Sequence, residues 1–267
     1  MLRKYLPFLT APGIGVFFLA LAACPLGETS AATGEFEGIS YHTLQIDPAK
    51  QTVRLFWKDA AGQHFKSFRA LDASLRSRGE RLAFAMNAGI YEPGWIPSGL
   101  HIEEGKELVP LNRQVPPPRQ PGHFTPNFYL LPNGVFYLLP NHHAGVLDTG
   151  SFAAAGLRPR IAVQSGPLLL SRGRIHPAFQ ADSTSRLIRN GVGVDQDGRI
   201  HFVATDRSDL ERANLHTFAR LFLHLGCENA LYLDGDISEF YLRADNPDIQ
   251  VTTGFAAIFA VTEPNPQ

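Results

Sequence analysis

The sequence has few cysteines, and neither sign of charge predominates in it. The 24 Lys and Arg residues against 25 Asp and Glu residues give a net charge of −1, and no basic block occurs. Because nucleic-acid-binding proteins usually carry a basic patch, we expect no nucleic acid partner. The 2 cysteines, Cys24 and Cys227, exclude a disulfide framework and leave a single possible pair. If Cys24 is modified, Cys227 remains as a lone thiol, which is typical of a small core residue.

Motifs of several common enzyme classes are also missing. The sequence contains no G-x-S-x-G nucleophile elbow, no H-E-x-x-H zinc motif, no P-loop and no C-x-x-C pair. His142 and His143 are adjacent, and adjacent residues of a strand point to opposite faces. We therefore interpret the two histidines as part of a loop and not as a metal-binding pair.

The N-terminal segment has the features of an export signal. Arg3 and Lys4 precede an uncharged and mostly apolar stretch, so residues 1–23 are predicted to be a signal peptide. The sequence L-A-A-C that ends at Cys24 fits a bacterial lipobox, in which this cysteine is lipidated and anchors the protein to a membrane. Ordinary cleavage after Ala32 and an uncleaved anchor are the alternatives. All three interpretations predict a location outside the cytoplasm, in the periplasm or cell envelope.

Composition and turn sequences predict one domain that is rich in β-sheet. Residues 24–37 are interpreted as a tether and residues 38–262 as a single domain, because no obvious linker divides them. The 24 glycines and 20 prolines favour many turns over a helical bundle. Strand-like segments flank turn sequences in the pairs 39–46 with 53–57, 99–102 with 107–109, 128–131 with 135–139, 168–170 with 174–175, and 192–194 with 200–204. We expect an α+β fold, a single domain with extensive mixed or antiparallel β-sheet and a few packed helices.

One helix is predicted together with both of its ends. Ser208 and Glu211 fit a capping box, in which each side chain satisfies a backbone N–H of the first turn. Gly226 suits a left-handed C-terminal cap. The apolar face between these ends consists of Leu215, Phe218, Ala219, Phe222 and Leu225. The apolar residues 230–233 then predict a buried strand, so Asp234 lies at a strand end, where catalytic groups are common.

Polar clusters follow apolar runs elsewhere too. The clusters are Asn87-Ala88-Gly89-Ile90-Tyr91, Gln164-Ser165-Gly166-Pro167, Arg186-Leu187-Ile188-Arg189-Asn190-Gly191, and Asp234-Gly235-Asp236 with Glu239. Taken singly, each has an ordinary structural explanation as a cap, a turn or a surface ion pair. Their order along the chain is more specific than any one of them.

In this order the clusters resemble the motifs of the phosphodiester glycosidase family over about residues 39–261. That family has N-G-G-Y/F, then G-G-P-x-L, then an Arg shortly before V-G, and finally L-D-G-G-G-S. The matching stretches here are N-A-G-I-Y from Asn87, S-G-P-L-L from Ser165, R-N-G-V-G from Arg189 and L-D-G-D-I-S from Leu233. Asp236 and Ile237 replace glycines of the pattern. We expect them to fill space beside Asp234 and to add charge, so the identity of the sugar and of the group beyond the phosphate is not carried over from the resemblance.

The resemblance implies a hydrolase that cleaves a sugar-1-phosphodiester at the anomeric carbon. The phosphate monoester that leaves is a weak base, so a general acid matters less than in ordinary glycoside hydrolysis. A cation must hold the phosphate, which suits Arg189, and a carboxylate must activate water, attack directly or stabilise positive charge on the sugar, which suits Asp234. Together with Asn87, these two residues are the expected catalytic residues. The expected substrate-binding residues are Arg186, Gln164, Ser165, Gly166, Gly89, Gly235, Asp236 and Glu239.

Two other functions remain open. The carboxylates of Asp234, Asp236 and Glu239 are hard ligands suited to Ca²⁺ or Mg²⁺, so a metal-assisted phosphodiesterase is one alternative, although no cofactor is otherwise expected. A non-catalytic lipoprotein that binds a glycan of the cell envelope is the other. The expected partner is a sugar-phosphate small molecule or an envelope glycan, besides the membrane that a lipid on Cys24 would reach.

Overall fold

The computed structural model describes residues 30–115, 125–207, 212–249 and 254–266. The predicted signal peptide, Cys24 and the predicted capping box at residues 208–211 lie outside them. The helices within them are α1 Phe68–Arg76, α2 Thr149–Ala155 and α3 Leu215–His224, and Asn127–Tyr129 forms a 3-10 turn. Of the helices in this part of the chain, none combines the length and the apolar character that crossing a membrane requires.

Strands predominate over helices. In chain order they are β1 Ser30–Phe36, β2 Ile39–Ile46, β3 Arg54–Phe56, β4 Glu80–Asn87, β5 Tyr91–Glu92, β6 Ile96–Pro97, β7 His101–Glu103, β8 Lys106–Val109, β9 Gly134–Leu138, β10 Ala144–Asp148, β11 Ile161–Ser165, β12 Leu168–Ser171, β13 Arg174–Ile175, β14 Asn190–Asp195, β15 Ile200–Thr205, β16 Cys227–Asp234, β17 Phe240–Leu242 and β18 Ile258–Pro264. They form a seven-stranded sheet in the order β1-β2-β15-β14-β16-β12-β13, a five-stranded sheet β10-β9-β11-β7-β8, a four-stranded sheet β17-β4-β18-β3 and the ribbon β5-β6. Each strand pair in the described ranges is antiparallel. The expected antiparallel sheet is confirmed, but the fold is mainly β and not an even mixture of helix and sheet.

Aromatic side chains from the three large sheets meet in one core. Phe202 of the seven-stranded sheet, Phe136 of the five-stranded sheet, and Phe84 and Phe259 of the four-stranded sheet have ring centroids 5.1 to 6.3 Å apart. All four side chains are almost fully buried, and each such burial stabilises the fold by about 1.5–3 kcal/mol. Because the three sheets share this interior, the structure favours the single domain that was expected.

A helix covers the outer face of each large sheet. Phe218 of α3 packs on the seven-stranded sheet, Leu71 of α1 on the four-stranded sheet and Phe152 of α2 on the five-stranded sheet. Strands buried on both faces need apolar residues at successive positions and not only at alternate ones. This explains the uninterrupted apolar runs at residues 82–86 and 230–233, whose ends carry the polar clusters.

The predicted hairpins are confirmed where the two strands share a sheet. β7 pairs with β8, β12 with β13 and β14 with β15. The hairpin predicted between residues 39–46 and 53–57 is wrong, because β2 pairs with β1 and β15 while β3 pairs with β18 in another sheet. Residues 128–131 were predicted to be a strand, but Phe128 and Tyr129 belong to the 3-10 turn. A turn sequence shows that the chain reverses, but the packing of the core decides which strand becomes the partner.

Two element boundaries differ from those that the sequence suggests. β1 lies within the predicted tether and pairs with β2 from Ser30 opposite Gln45 to Phe36 opposite Ile39. The reversal between them places Glu37 and Gly38 at φ 50° and 77°, as a tight hairpin turn requires. Helix α3 begins at Leu215 and is capped by the side chain of Asn214, which accepts from the Thr217 N–H at 2.8 Å. The predicted glycine cap is confirmed, because Gly226 has φ 82°.

Candidate functional site

The ends of several strands converge on Asp234. β16 ends at Asp234 and β4 ends at Asn87, while β14 begins at Asn190, which lies opposite Asp234 across the strand pair. The next pair joins Gly191 to Tyr232, so β16 contains an extra residue between the two pairs. Such a bulge re-aims the side chains beside it. The strand-end position that was predicted from the sequence therefore places a carboxyl and two amides side by side.

A chain of hydrogen bonds fixes the Asp234 carboxyl. Asn190 donates from Nδ2 to Asn87 Oδ1 at 2.7 Å, and the Glu239 N–H donates to the same oxygen at 2.9 Å. With its oxygen occupied, the Asn87 amide donates from Nδ2 to Asp234 Oδ2 at 3.1 Å. The Gly235 N–H donates to Asp234 Oδ1 at 2.7 Å. The carboxyl is held in one orientation, with a donor on each oxygen.

The electrostatic environment of Asp234 suits proton transfer near neutral pH. Burial raises the pKa of Asp234 to about 7, the hydrogen bonds from Gly235 and Asn87 oppose that rise, and the charge of Asp236 adds to it. Protein surrounds the carboxyl closely, although the residue keeps part of its surface open to solvent. A group of this kind can exchange a proton with a reactant at the pH of an ordinary cell compartment.

Arg189, expected to bind phosphate, is instead buried beneath the site. Its side chain is 1% exposed, and it donates to the carbonyls of Ala213 at 2.7 Å and Ser185 at 2.9 Å and to the Tyr232 hydroxyl at 3.3 Å. Burial lowers the pKa of the guanidinium from its ordinary value, which the neighbouring Tyr232 opposes. A substrate on the surface cannot reach this group. The structure therefore gives Arg189 a structural position, in which it ties the segments before β14 and α3 to β16.

Gln164 was expected to bind a sugar hydroxyl, but its side-chain amide forms hydrogen bonds within the fold. Its oxygen accepts from the backbone N–H groups of Leu100 at 3.0 Å and Asn112 at 2.8 Å. Its nitrogen donates to the Asn112 carbonyl at 2.7 Å and to the Thr149 hydroxyl at 3.1 Å. The side chain is 1% exposed, and a methyl group on Gly99 would overlap its carboxamide. Gln164 therefore holds loops together and is not positioned to touch a substrate.

The other residues expected near Gln164 support the backbone. Ser165 donates from Oγ to the Leu233 carbonyl at 3.2 Å and accepts from the Ile90 N–H at 3.3 Å, which joins the ends of β4 and β16. Gly89 has φ 83°, and a Cβ there would lie 2.9 Å from Val163. A Cβ on Gly166 would lie 2.6 Å from the Cβ of Asn133. These positions require small residues for packing, and they face protein atoms where substrate contacts were expected.

The remaining predicted residues belong to a group of charged side chains that we call the rim. The rim consists of Arg186, Arg207, Arg212, Asp236 and Glu239, and all of these side chains are exposed except that of Glu239, which is 11% exposed. The exposed Asp236 carboxylate forms an ion pair with Arg212 at 3.6 Å, and Glu239 pairs with Arg207 at 3.3 Å. Arg186 is exposed and donates to the Arg212 carbonyl at 3.2 Å. Asp236 adds the expected charge, but its side chain is 57% exposed and does not fill the space beside Asp234.

Arg207 and Arg212 were not predicted from the sequence. Arg207 donates from Nη2 to the carbonyls of Asp236 at 3.2 Å and Ser238 at 3.1 Å, so it holds the loop that follows Asp234. Arg207 comes just after the end of β15, so the strand-end criterion that found Asn87 could have found it as well.

Aromatic residues lie on another side of the site. Tyr91 stacks on Trp95 with ring centroids 5.3 Å apart and an interplanar angle of 21°. Burial raises the pKa of Tyr91, and the charge of Asp234 raises it further, which places the two residues near each other. The Lys66 ammonium lies 5.2 Å from the Trp95 ring centroid. Partly exposed aromatic faces of this kind are suited to contact with a sugar ring or a base.

The structure gives the metal-assisted alternative no support. Among the residues in the described ranges, no group of three or more His, Cys, Asp or Glu side chains could hold a metal ion. Asp236 and Glu239 turn towards arginines and do not converge with Asp234. His142 lies between β9 and β10, in the loop that was predicted. Cys227 is buried and free, and burial raises the pKa of its thiol, as suits a core residue.

Comparisons with known proteins give matches to a family model, to a curated protein and to solved structures. A family model described as phosphodiester glycosidase matches residues 80–254. The Escherichia coli K12 protein named "Uncharacterized protein YigE" is 32% identical over 229 residues, which cover 85% of this chain and 84% of that protein. The catalytic domain of zebrafish N-acetylglucosamine-1-phosphodiester alpha-N-acetylglucosaminidase, auto-inhibited by its pro-peptide, is similar in structure with a TM-score of 0.62 at 16% identity, over 90% of this chain and 84% of that one. A hypothetical protein from Synechocystis has a TM-score of 0.53 at 17% identity, over 87% of this chain and 61% of that one.

Proposed function

Because the chain belongs to the phosphodiester glycosidase family, we propose that it hydrolyses a sugar-1-phosphodiester and that Asp234 is the reacting carboxyl. One observation carries this assignment. A carboxyl with its pKa raised to about 7 stands at the convergence of strand ends, with Asn87 and Gly235 donating to its two oxygens. A titratable group with a perturbed pKa and a fixed orientation is typical of active sites.

In the proposed reaction, ionised Asp234 acts as the general base. It takes a proton from a water molecule whose oxygen bonds to the anomeric carbon. The bond from that carbon to the phosphate oxygen breaks, and its electron pair stays on the departing phosphate monoester. Because this leaving group is already a weak base, it needs no strong acid to protonate it. The raised pKa makes Asp234 a better base than an ordinary carboxylate, and the proton that it gains returns to solvent.

Asn87 and Asn190 act on the reaction through Asp234. The Asn87 amide cannot turn over without losing its bonds to Asn190 and Glu239, so its N–H stays directed at Asp234 Oδ2. This orientation keeps one carboxylate lone pair in place for the attacking water. Asn87, expected to be catalytic, is therefore proposed as a positioning residue, and Asn190 joins it.

The location of the protein follows from the N-terminal sequence in this proposal. A signal peptide that ends at Cys24 would deliver the protein to the periplasm or the envelope, where sugar phosphates and phosphodiester-linked glycans are accessible. Labelling with a radioactive fatty acid tests this, because a C24A variant should lose the label if the lipobox is used.

Hydrolysis of a panel of sugar-1-phosphodiesters, including UDP-N-acetylglucosamine, tests the reaction. The full chain is compared with D234N, which keeps the shape of the side chain and removes the base. Loss of a general base lowers kcat by about 10²–10⁴-fold. The matched control is D197N, because Asp197 is a carboxylate in the turn between β14 and β15 that is 70% exposed. Equal turnover by D234N would overturn the assignment. A folded protein that binds a glycan but cleaves no member of the panel would favour the non-catalytic alternative.

A further inference from the structure

Burial removes Arg189 from the list of groups that could bind a phosphate. A phosphodiester carries a negative charge, and proteins usually hold such groups with arginine side chains that reach the surface. In the described part of the chain, the exposed arginines next to the Asp234 loop are those of the rim. Arg207 and Arg212 are 51% and 44% exposed at their side chains, and both contact the segment that follows Asp234.

The rim also contains an anion that is paired with one of these arginines. The Asp236 carboxylate lies 3.6 Å from the Arg212 guanidinium and comes two residues after Asp234. Its charge raises the pKa of Asp234, so the carboxylate and its arginine lie within electrostatic reach of the reacting group. Arg207 uses Nη2 for its contacts with Asp236, Ser238 and Glu239.

We propose that Arg212, together with Arg207, forms the phosphate-binding part of the active site, and that the Asp236 carboxylate occupies Arg212 until a substrate phosphate displaces it. This inference rests on the function proposed above. Arg212 lies in the segment that Arg189 ties to β16 through the Ala213 carbonyl, so the rim is fixed relative to Asp234. Arg189 thus serves the phosphate site indirectly, as a positioning residue that is itself out of reach.

A phosphate can replace the Asp236 carboxylate on Arg212 because both members of this ion pair are exposed to solvent. An ion pair between exposed side chains is weak, because water and salt screen it. The phosphodiester presents more oxygens than the carboxylate and can accept from both arginines, so it displaces Asp236 at little cost. Asp236 then lowers the affinity for every phosphate ligand, since each one has to compete with it. Removing this carboxylate should therefore tighten binding, but only while Arg212 is present.

A titration with dimethyl phosphate, followed by ³¹P NMR, tests the inference without requiring turnover. We expect R212Q to weaken binding about tenfold, because it loses a charge-assisted hydrogen bond. D236N should tighten binding about threefold, which is the effect of removing one exposed ion pair. In the double variant R212Q/D236N, the gain from D236N should disappear, because the two changes act on one interaction.

Controls come from an exposed ion pair away from the site. Arg199 pairs with Asp197 at 3.2 Å and is 47% exposed, and the pair lies in the turn at the opposite end of β14 from Asn190. R199Q and D197N therefore change the net charge as R212Q and D236N do. Binding by R199Q and D197N should stay within about twofold of the wild type, because charges beyond a Debye length are screened. Thermal unfolding of each variant shows whether the fold is intact.

The outcomes separate this inference from the proposed function. An unchanged affinity in R212Q, a weaker one in D236N, or an equal gain from D236N in the R212Q background would each overturn the phosphate site. If the expected pattern appears but no sugar-1-phosphodiester is cleaved, the phosphate site stands and the proposed reaction fails. If the wild type cleaves its substrate and R212Q and D236N have the wild-type KM, the reaction stands and the inference fails.

Discussion

Replacing Asp234 by Asn should stabilise the protein at alkaline pH while it removes activity. An unfolded aspartate has its ordinary pKa of 3.8, and burial raises that of Asp234 to about 7 in the folded protein. Below pH 3.8 the carboxyl is protonated in both the folded and the unfolded state, so its titration causes no loss of folding stability there. As the pH rises, the unfolded chain releases this proton first, so folding stability falls until the pH has passed the folded pKa of about 7. An Asn side chain has no such titration.

The expected size follows from the two pKa values. Each pKa unit corresponds to about 1.4 kcal/mol, so the gap between 3.8 and about 7 corresponds to about 4 kcal/mol in total. About 2–3 kcal/mol of this falls between pH 5 and pH 8. Because domains are stable by about 5–15 kcal/mol, a change of this size is readily measured. In D234N, one backbone N–H or amide donor loses its acceptor, which costs about 1–3 kcal/mol of folding stability. This loss is the same at every pH, so it does not affect the pH dependence.

Urea unfolding of the wild type and D234N at pH 5, 6, 7 and 8 measures this difference. The free energy of unfolding of D234N should gain about 2–3 kcal/mol relative to the wild type over this range, with equal m-values. Other titrating groups contribute equally to both proteins and cancel in the difference. A difference that stays constant within about 0.5 kcal/mol from pH 5 to pH 8 would refute the reasoning, because it would mean that Asp234 titrates as an ordinary solvated carboxyl.

Two further predictions concern activity and the buried arginine. Because the base must be ionised, kcat of the wild type should rise tenfold per pH unit below about pH 7 and level off above it. If kcat instead falls as the pH rises through this range, Asp234 acts as an acid. R189M should leave the carbonyls of Ala213 and Ser185 and the Tyr232 hydroxyl without a donor. Urea unfolding should show that the free energy of unfolding falls by about 3–5 kcal/mol. A loss below about 1 kcal/mol would contradict the buried position of Arg189 beneath the site.

The sequence was sufficient to find the residues at the centre of the site. Asp234 and Asn87 each follow an uninterrupted apolar run, and such runs form strands buried on both faces. Strands packed around a common core bring their ends together, so residues far apart in sequence become neighbours. The hydrogen bond between Asn87 and Asp234 at 3.1 Å is the result. The order of the motifs identified the family through its resemblance to the family's pattern, and the structure places these motifs beside the ends of strands β4, β11, β14 and β16.

The roles of Gln164 and Arg189 could not be found in this way. Gln164 and Arg189 lie in motifs beside apolar runs, as Asn87 does. Their side chains, however, point into the protein and donate hydrogen bonds to backbone carbonyls there. Local sequence shows that a polar residue stands at a strand end, but it does not show which side chains face protein and which face solvent. That depends on neighbours such as Asn112 and Ala213, which no local pattern identifies. The strand partners of β2 and β3 were missed for the same reason.

The site therefore has two parts with opposite requirements. The carboxyl of Asp234 has to be largely surrounded by protein, because burial is the main cause of its raised pKa of about 7. The arginines that hold a phosphate have to remain hydrated enough for one anion to replace another, which the exposed pair of Asp236 and Arg212 permits. A buried polar residue such as Asp234 follows an apolar run that can be recognised in the sequence. An exposed residue such as Arg212 lies outside such runs, so the local sequence does not indicate its role. A residue such as Arg212 is consequently visible only once the fold places it beside Asp236.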